Sequence, residues 1–255
     1  MAPYDLVGNI VIVKFSEEDK NSYKKKWARE FMRKNKQVKT VLEKVGKFKG
    51  RLRVQKTEYV FGEKTKEALY KENGCEFRFN VGTCYFSPRL ASERKEIASF
   101  VDKNEKVLVM FGGVAPFAIV IAKLSKPKKV VNIEISRECN KYARENVKRN
   151  KVEKIVELIQ GDVKKKLPNE KFDRIVMARP NLEETFLPFA LKAAKKNCII
   201  HYYGFCKEDE VEAMKFMLLK QAEEENHQVK ILNVKKAGDI GPFSFRYRID
   251  LRVVK

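Results

Sequence analysis

The 255 residues predict an α/β fold in two parts, a small mixed α/β module over residues 1–86 and a larger open parallel sheet over 87–255. Two observations carry this. From Ser92 onward, continuous apolar runs such as 107–111, 130–135 and 198–203 alternate with amphipathic stretches, the pattern of parallel strands covered by helices on both faces. Before Phe86-Ser87-Pro88 the runs are shorter and are separated by turn signals at Gly46, Gly62 and Asn73-Gly74. With 44% apolar residues the chain has material for a core, which argues against disorder.

In the first part, residues 6–15 alternate around Val11 and Val13 and read as a strand. Ser16 followed by Glu17, Glu18 and Asp19 reads as a helix start, with the helix running to about residue 34. Residues 38–45, 50–61 and 75–81 read as further strands. The second part begins with a helix over 93–101 and a strand over 107–111, followed by a Gly112-Gly113 turn, a helix over 117–124 and a strand over 130–135. Ser136 then caps a helix to residue 150, and strands follow over 155–160 and 172–177. A helix over 182–195, a strand over 198–203 and a helix over 208–225 precede a closing antiparallel pair, 229–234 with 245–253. Seven strands ending in a hairpin give the layout of a Rossmann-like class I methyltransferase domain.

Composition narrows the partners. Lys and Arg number 55 against 34 Asp and Glu, a formal charge of +21 that suits a polyanion. Residues 20–56 hold 15 bases against Glu30 and Glu43, and Lys24, Lys25, Lys26, Arg29 and Arg33 recur at spacings that share a helical face. Such a surface tracks phosphates, which predicts a module that binds RNA or DNA. Cys75, Cys84, Cys139, Cys198 and Cys206 include no Cys-x-x-Cys pair, so a zinc ribbon or disulfide framework is disfavoured and no metal site is expected. No apolar run reaches the roughly 18 residues that span a bilayer, and residues 1–10 lack a signal-peptide layout. A cytoplasmic protein with no membrane partner is the expectation.

In open parallel sheets the ligand sits beyond the carboxyl ends of the strands, where the strand order reverses. Val109-Met110-Phe111-Gly112-Gly113-Val114-Ala115-Pro116-Phe117 is a strand followed by such a turn. It is not Gly-x-Gly-x-x-Gly and no Gly-x-x-x-x-Gly-Lys occurs, so a dinucleotide site or an NTPase is disfavoured. The next strand ends at Glu134, placed to take both hydroxyls of an adenosyl ribose, and Gly161-Asp162 follows the third strand, placed to meet an adenine amino group. Together these predict S-adenosylmethionine as cofactor.

Tyr85-Phe86-Ser87-Pro88-Arg89-Leu90-Ala91-Ser92-Glu93-Arg94, the 110–117 turn and the closing Tyr247-x-x-Asp250 resemble the archaeal and eukaryotic family of tRNA (guanine-N1) methyltransferases acting at anticodon-loop position 37. The wybutosine-pathway aminocarboxypropyl transferases share this fold, but the Arg89-Leu90 and Pro116-Phe117 pairs side with the methyltransferases. The resemblance runs from about residue 50 to the C-terminus and implies that the short N-terminal tRNA-elbow domain of some members is absent. It assigns Arg53 to the developing charge on the base oxygen and Glu93 to the proton that leaves as the nucleophile is methylated. Tyr85 would pack on the flipped base, with Arg89, Ala178, Arg179 and Pro180 also at the substrate. Phe111, Gly112, Gly113, Val114, Glu134, Ile135, Asp162 and Val163 would line the cofactor pocket.

Departures from that family pattern are Val109 for an acid, Ala115 for Gly, and Ala178-Arg179-Pro180 for Asn-Leu-Pro. The missing Asn leaves the acceptor open between guanosine N1 and a carbon of a tricyclic wyosine precursor, with Arg179 as a replacement donor. The aminocarboxypropyl transferase and a non-catalytic tRNA-binding homologue remain as alternatives. A monomer gripping the anticodon stem-loop is expected. Without the resemblance, Glu93 reads as an acid favoured by a helix start, and His201 as a satisfied strand residue.

Overall fold

A computed structural model describes residues 2–46, 56–179, 182–241 and 243–254. The chain divides into two compact units, Met1–Pro88 and Arg89–Lys255.

In the first unit β1 (Tyr4–Val7) and β2 (Ile10–Val13) form a hairpin where the alternation predicts a single strand. Gly8 decides this. It takes φ +60°, and a Cβ there would lie 1.8 Å from the Leu69 carbonyl oxygen, so only glycine fits the turn. The acids after Ser16 do not open the helix; Asp19 Oδ2 accepts from the Ser16 N–H at 2.8 Å and closes a turn instead. α1 (Asn21–Lys34) then crosses to β3 (Thr40–Lys44), parallel to β2, and β4 (Thr57–Gly62) pairs antiparallel with β3. The helix seats Ala28 against Val11, Val13 and Val41, and Trp27 stacks on Phe31 at 4.8 Å. β5 (Glu67–Glu72), which the sequence did not suggest, pairs with β6 (Cys75–Asn80) across Asn73-Gly74, both at positive φ as a tight hairpin turn requires. Phe86 stacks on Phe79 of this hairpin at 4.6 Å. Of the strand expected over 50–61, residues 50–55 lie outside the described residues.

The second unit is a seven-stranded sheet with the order β12-β13-β11-β10-β7-β8-β9. β7 (Lys106–Met110), β8 (Lys129–Glu134), β9 (Val156–Gln160), β10 (Phe172–Met177) and β11 (Ala194–Lys207) run parallel. β13 (Ser244–Val253) lies antiparallel between β11 and β12 (Val229–Gly241). The order reverses at β7, whose neighbours are β8 and β10, and the Gly112-Gly113 turn leaves the sheet at this point. The helices are α2 (Ala91–Ser99), α3 (Pro116–Leu124), α4 (Arg137–Arg149), α5 (Val163–Lys166), α6 (Leu187–Ala193) and α7 (Val211–Glu224). α4 starts at the expected cap, with Ser136 Oγ accepting from the Cys139 N–H at 3.3 Å. α6 is shorter than the helix expected over 182–195, because residues from Ala194 onward enter β11 and Ala194 pairs with Phe172. None of the helices is long and apolar enough to cross a membrane, among the described residues.

Side chains alternate between the two faces of the sheet. One phase, including Leu108, Ile133, Ile175, Ile200, Ile249 and Leu251, packs with α6 and α7 into the main apolar core. The other phase carries Arg174, His201, Tyr203, Arg248 and Asp250, all buried. Each finds partners. Arg174 donates to both oxygens of Glu105, at 2.7 and 2.9 Å, and its Nη1 lies 3.0 Å from His201 Nε2, while His201 Nδ1 lies 2.7 Å from Asp250 Oδ1. Arg174 can only donate, so His201 Nε2 accepts and Nδ1 carries the hydrogen given to Asp250. Burial depresses the His201 pKa, in keeping with a neutral ring.

Candidate active site

The residues expected to hold the cofactor gather around the turn after β7. Phe111, Gly113 and Ala115 all take left-handed φ, at 60°, 56° and 66°, so the chain doubles back before Pro116 opens α3. The Gly112 N–H donates to the Ile133 carbonyl at 2.9 Å and the Gly113 N–H donates to Glu134 Oε2 at 2.8 Å. The Ser136 N–H donates to Glu134 Oε1 at 2.7 Å, and the Glu134 carbonyl accepts from the Gly161 N–H at 2.8 Å. The ends of β7, β8 and β9 therefore meet at Glu134. Burial holds its carboxyl above the usual carboxylate range, against the pull of these backbone donors. Among the described residues no cation pairs with it. Beside it Ile135 is 36% exposed, an apolar side chain left open at a strand end. Asp162 accepts from the Lys164 N–H at 3.0 Å and caps α5. Val114 and Val163 are buried, and Phe111 meets Phe186 edge-on at 4.9 Å.

Beneath the turn, the Asn132 side chain is fully buried with neither amide atom hydrogen-bonded. A Cβ on Gly112 would fall 1.9 Å from Asn132 Oδ1, so space is what requires glycine here. Gly112→Ala is expected to destabilise the protein by about 2–3 kcal/mol. Adding Asn132→Ala removes both the clash and an unsatisfied amide, and the pair is expected within about 1 kcal/mol of wild type. Urea unfolding of the two single variants and the double checks this; additive losses would refute it.

The second half of the site centres on Glu93. It occupies the first turn of α2, yet its carboxylate reaches sideways to the sheet: Oε1 accepts from Tyr203 Oη at 2.9 Å and from Arg248 Nη1 at 2.5 Å, and Lys235 Nζ lies 3.4 Å from Oε2. The register explains the convergence, because Tyr203, Arg248 and Lys235 are direct cross-strand neighbours on β11, β13 and β12. The Tyr203 ring also packs on Phe117 at 5.9 Å, which ties Glu93 to the start of α3. Arg248 and Lys235 were not singled out from sequence. The signal was there in Arg246, Arg248 and Asp250, charged at period two in an otherwise apolar strand.

After β10, Ala178 is half-buried and Arg179 is buried. Arg179 donates to Tyr202 Oη at 3.2 Å and to the carbonyls of Glu184, at 2.7 Å, and Leu182; its Nε has no partner among the described residues. These bonds staple the loop after β10. Tyr85 is half-buried in the first unit, and Arg89 is exposed on a 3-10 turn over Pro88–Leu90. Arg53 and Pro180 lie outside the described residues. The Cys198 thiol, pushed up to about 12 by burial, is no nucleophile. No cluster of metal-ligating side chains occurs among the described residues.

Residues 68–232 match the model of the TRM5/TYW2 methyltransferase domain. The chain belongs to the TRM5/TYW2 family. Residues 2–65 also match the TYW2 N-terminal domain. Two TRM5/TYW2 relatives are similar over 98% of this chain: a tRNA (guanine(37)-N(1))-methyltransferase Trm5b of Pyrococcus abyssi, 34% identical with 74% of its length covered, and a tRNA (guanine(37)-N(1))/4-demethylwyosine(37)-methyltransferase Taw22 of Nanoarchaeum equitans, 31% identical with 99% covered. Among solved structures of the family, a complex of aTrm5 with tRNALeu aligns with a TM-score of 0.86 at 29% identity, covering 99% of this chain and 72% of that one. TYW2 of P. horikoshii in complex with MeSAdo aligns with a TM-score of 0.84 at 28% identity, covering 99% and 91%. The seven-stranded class I fold expected from the sequence is thus the fold of these TRM5/TYW2 proteins.

Proposed function

We propose that this protein is an S-adenosylmethionine-dependent tRNA methyltransferase that modifies the purine at anticodon-loop position 37. The observation that carries the reading is Glu134, a buried carboxylate with no cation partner among the described residues, fixed by the Gly113 and Ser136 N–H groups at the point where the strand order reverses. A carboxylate anchored by backbone N–H groups and with no cation to neutralise it among the described residues fits the hydroxyls of an adenosyl ribose. The exposed face of Ile135 fits the adenine ring, and Asp162 stands at the next strand end. When bound, the cofactor supplies an electrophilic methyl on sulfur.

The chain's own residues do the rest. Glu93 takes the proton from the purine nitrogen as that nitrogen becomes the nucleophile, and Arg53 faces the base oxygen where negative charge develops. Tyr85, Arg89, Ala178, Arg179 and Pro180 contact the extruded base. The exposed Lys25, Lys26, Arg29 and Arg33 of α1 grip RNA phosphates. Lys24 is withdrawn from the basic face read from the sequence: its Nζ donates to Glu43 Oε1 at 2.7 Å and is half-buried. Neutralising Lys25, Lys26 and Arg33 is expected to lower the salt slope of tRNA binding by about 0.7 to 0.9 for each phosphate no longer neutralised, while Lys24→Gln leaves it unaltered. Filter binding at several salt concentrations checks this; an unchanged slope in the triple variant would move the RNA surface elsewhere.

A second reading, transfer of the cofactor's aminocarboxypropyl group to a tricyclic position-37 base, draws support from the match of residues 2–65 to the TYW2 N-terminal domain. The deciding experiment incubates the protein with S-adenosylmethionine and two tRNAs, one with guanosine at position 37 and one with the tricyclic precursor, followed by nucleoside mass analysis. A methyl on either base supports the main reading and names the acceptor. An aminocarboxypropyl adduct supports the second, and no transfer refutes both.

A further inference from the structure

The two oxygens of Glu93 are held very differently. Oε1 accepts from two buried donors, Tyr203 Oη at 2.9 Å and Arg248 Nη1 at 2.5 Å, which fill its lone pairs. Among the described residues Oε2 has only Lys235 Nζ, at 3.4 Å, beyond a good hydrogen bond. Lys235 is 40% exposed and is hydrogen-bonded to Glu96, so its grip on Oε2 is the weaker of its two attachments. Arg248 is fully buried and is held in turn by Glu96 Oε1 at 2.9 Å and Asp250 Oδ1 at 3.0 Å, with its guanidinium over the Phe100 ring at 5.4 Å.

We propose that Arg248 and Tyr203 are positioning residues that clamp Glu93 through Oε1 and leave Oε2 as the atom that receives the purine proton, an inference that rests on the reading of Glu93 as proton acceptor.

Charge balance supports the assignment. Glu93, Glu96 and Asp250 face Arg248 and Lys235, so the cluster carries one net negative charge with His201 neutral. A proton arriving on Glu93 neutralises the cluster instead of creating a buried charge. Without Arg248, three carboxylates would share a single lysine, and mutual repulsion would protonate one of them in the resting protein. Tyr203 cannot take over as base: burial and the adjacent Glu93 hold its phenol well above the ordinary tyrosine range, so it only donates. Burial alone would lower the Arg248 pKa, but Asp250 and Glu93 outweigh it and raise it above its ordinary value, so the clamp stays cationic. In the step itself, the purine nitrogen forms a bond to the methyl carbon and the carbon–sulfur bond breaks with its electron pair on sulfur. The proton on that nitrogen passes to Oε2, leaving a neutral acid, a neutral methylated base and a neutral thioether.

The test measures single-turnover kcat, tRNA KM and the kcat–pH profile of full-length Arg248→Lys, Tyr203→Phe and Glu93→Gln proteins. Arg248→Lys keeps the charge but loses the fork, and Tyr203→Phe keeps the ring on Phe117 while removing one donor. Arg248→Lys is expected to lower kcat by about 10- to 100-fold, with tRNA KM unchanged. The acidic limb of its kcat–pH profile should move to higher pH, because losing the fork loosens the hold on the proton-accepting carboxylate. Tyr203→Phe should move the same quantities in the same direction by less, and it decides the matter if Arg248→Lys does not fold. Wild-type kcat and pH profile in both variants, with Glu93→Gln inactive, would overturn the clamp and leave the reading of Glu93 intact. Full activity in Glu93→Gln would overturn that reading, and the clamp's role in proton transfer with it.

Discussion

Glu93→Gln is expected to lower methyl transfer by about 10²- to 10⁴-fold while tRNA affinity stays within about twofold of wild type. Gln is close to isosteric and can still accept from Tyr203 Oη and Arg248 Nη1 through its carbonyl oxygen, so the local packing survives. What it cannot do is receive a proton at the position of Oε2. A loss confined to kcat separates this role from binding, because the phosphate contacts proposed for α1 belong to the other unit of the chain. Single-turnover transfer with the tRNA that the mass analysis identifies is the measurement, alongside Arg53→Ala, which should show the same loss in kcat. Transfer at the wild-type rate by Glu93→Gln would remove Glu93 from the chemistry and return it to the helix-start acid that its local sequence suggests.

The largest effect on stability is expected from Arg174→Met. Arg174 is 5% exposed and gives Glu105 a two-pronged contact, with further bonds to the Phe100 carbonyl and to His201 Nε2. Replacement leaves a largely buried carboxylate, a carbonyl and an imidazole acceptor without their donor, and removing one partner of such a pair costs about 3–5 kcal/mol. Arg174→Lys restores the charge but not the fork and should recover only part of the loss. Urea unfolding with an unchanged m-value is the measurement; a loss below about 1 kcal/mol would mean that water reaches the site.

The neutral His201 adds a pH dependence. Its folded pKa is depressed, so the unfolded chain binds the proton first as the medium is acidified. Its contribution to stability is present above the ordinary histidine value of about 6.5 and is lost as pH falls below it, at no more than about 1.4 kcal/mol per pH unit. His201→Gln should flatten the urea midpoint between pH 7.5 and 5.5; an equally steep decline in that variant would assign the dependence to other groups.

Much of the second unit was legible locally. Apolar runs marked β7, β8 and β10, the Ser136 hydroxyl marked the start of α4, and the Gly-Gly turn and Glu134 marked the ends of β7 and β8 where the strand order reverses. These signals lie within a few residues of what they specify. Failures came where space, not local pattern, decided: the backbone of β5 against Gly8 split one expected strand into β1 and β2, and pairing with Phe172 drew Ala194 out of an expected helix into β11.

By itself the sequence determined the basic surplus, the order of the strands in the second unit and the place of Glu134 at a strand end, because each follows from composition, periodicity or a turn. Only the tertiary structure decided what Glu93 touches. Its partners lie 110 and 155 residues away on β11 and β13, and they reach it through an antiparallel register that sets Tyr203 opposite Arg248. No local propensity encodes that register. It is fixed by burying one phase of each strand in the apolar core, which forces the alternate phase, with its arginines, histidine and carboxylates, onto the opposite face, where each has to find a partner from another element.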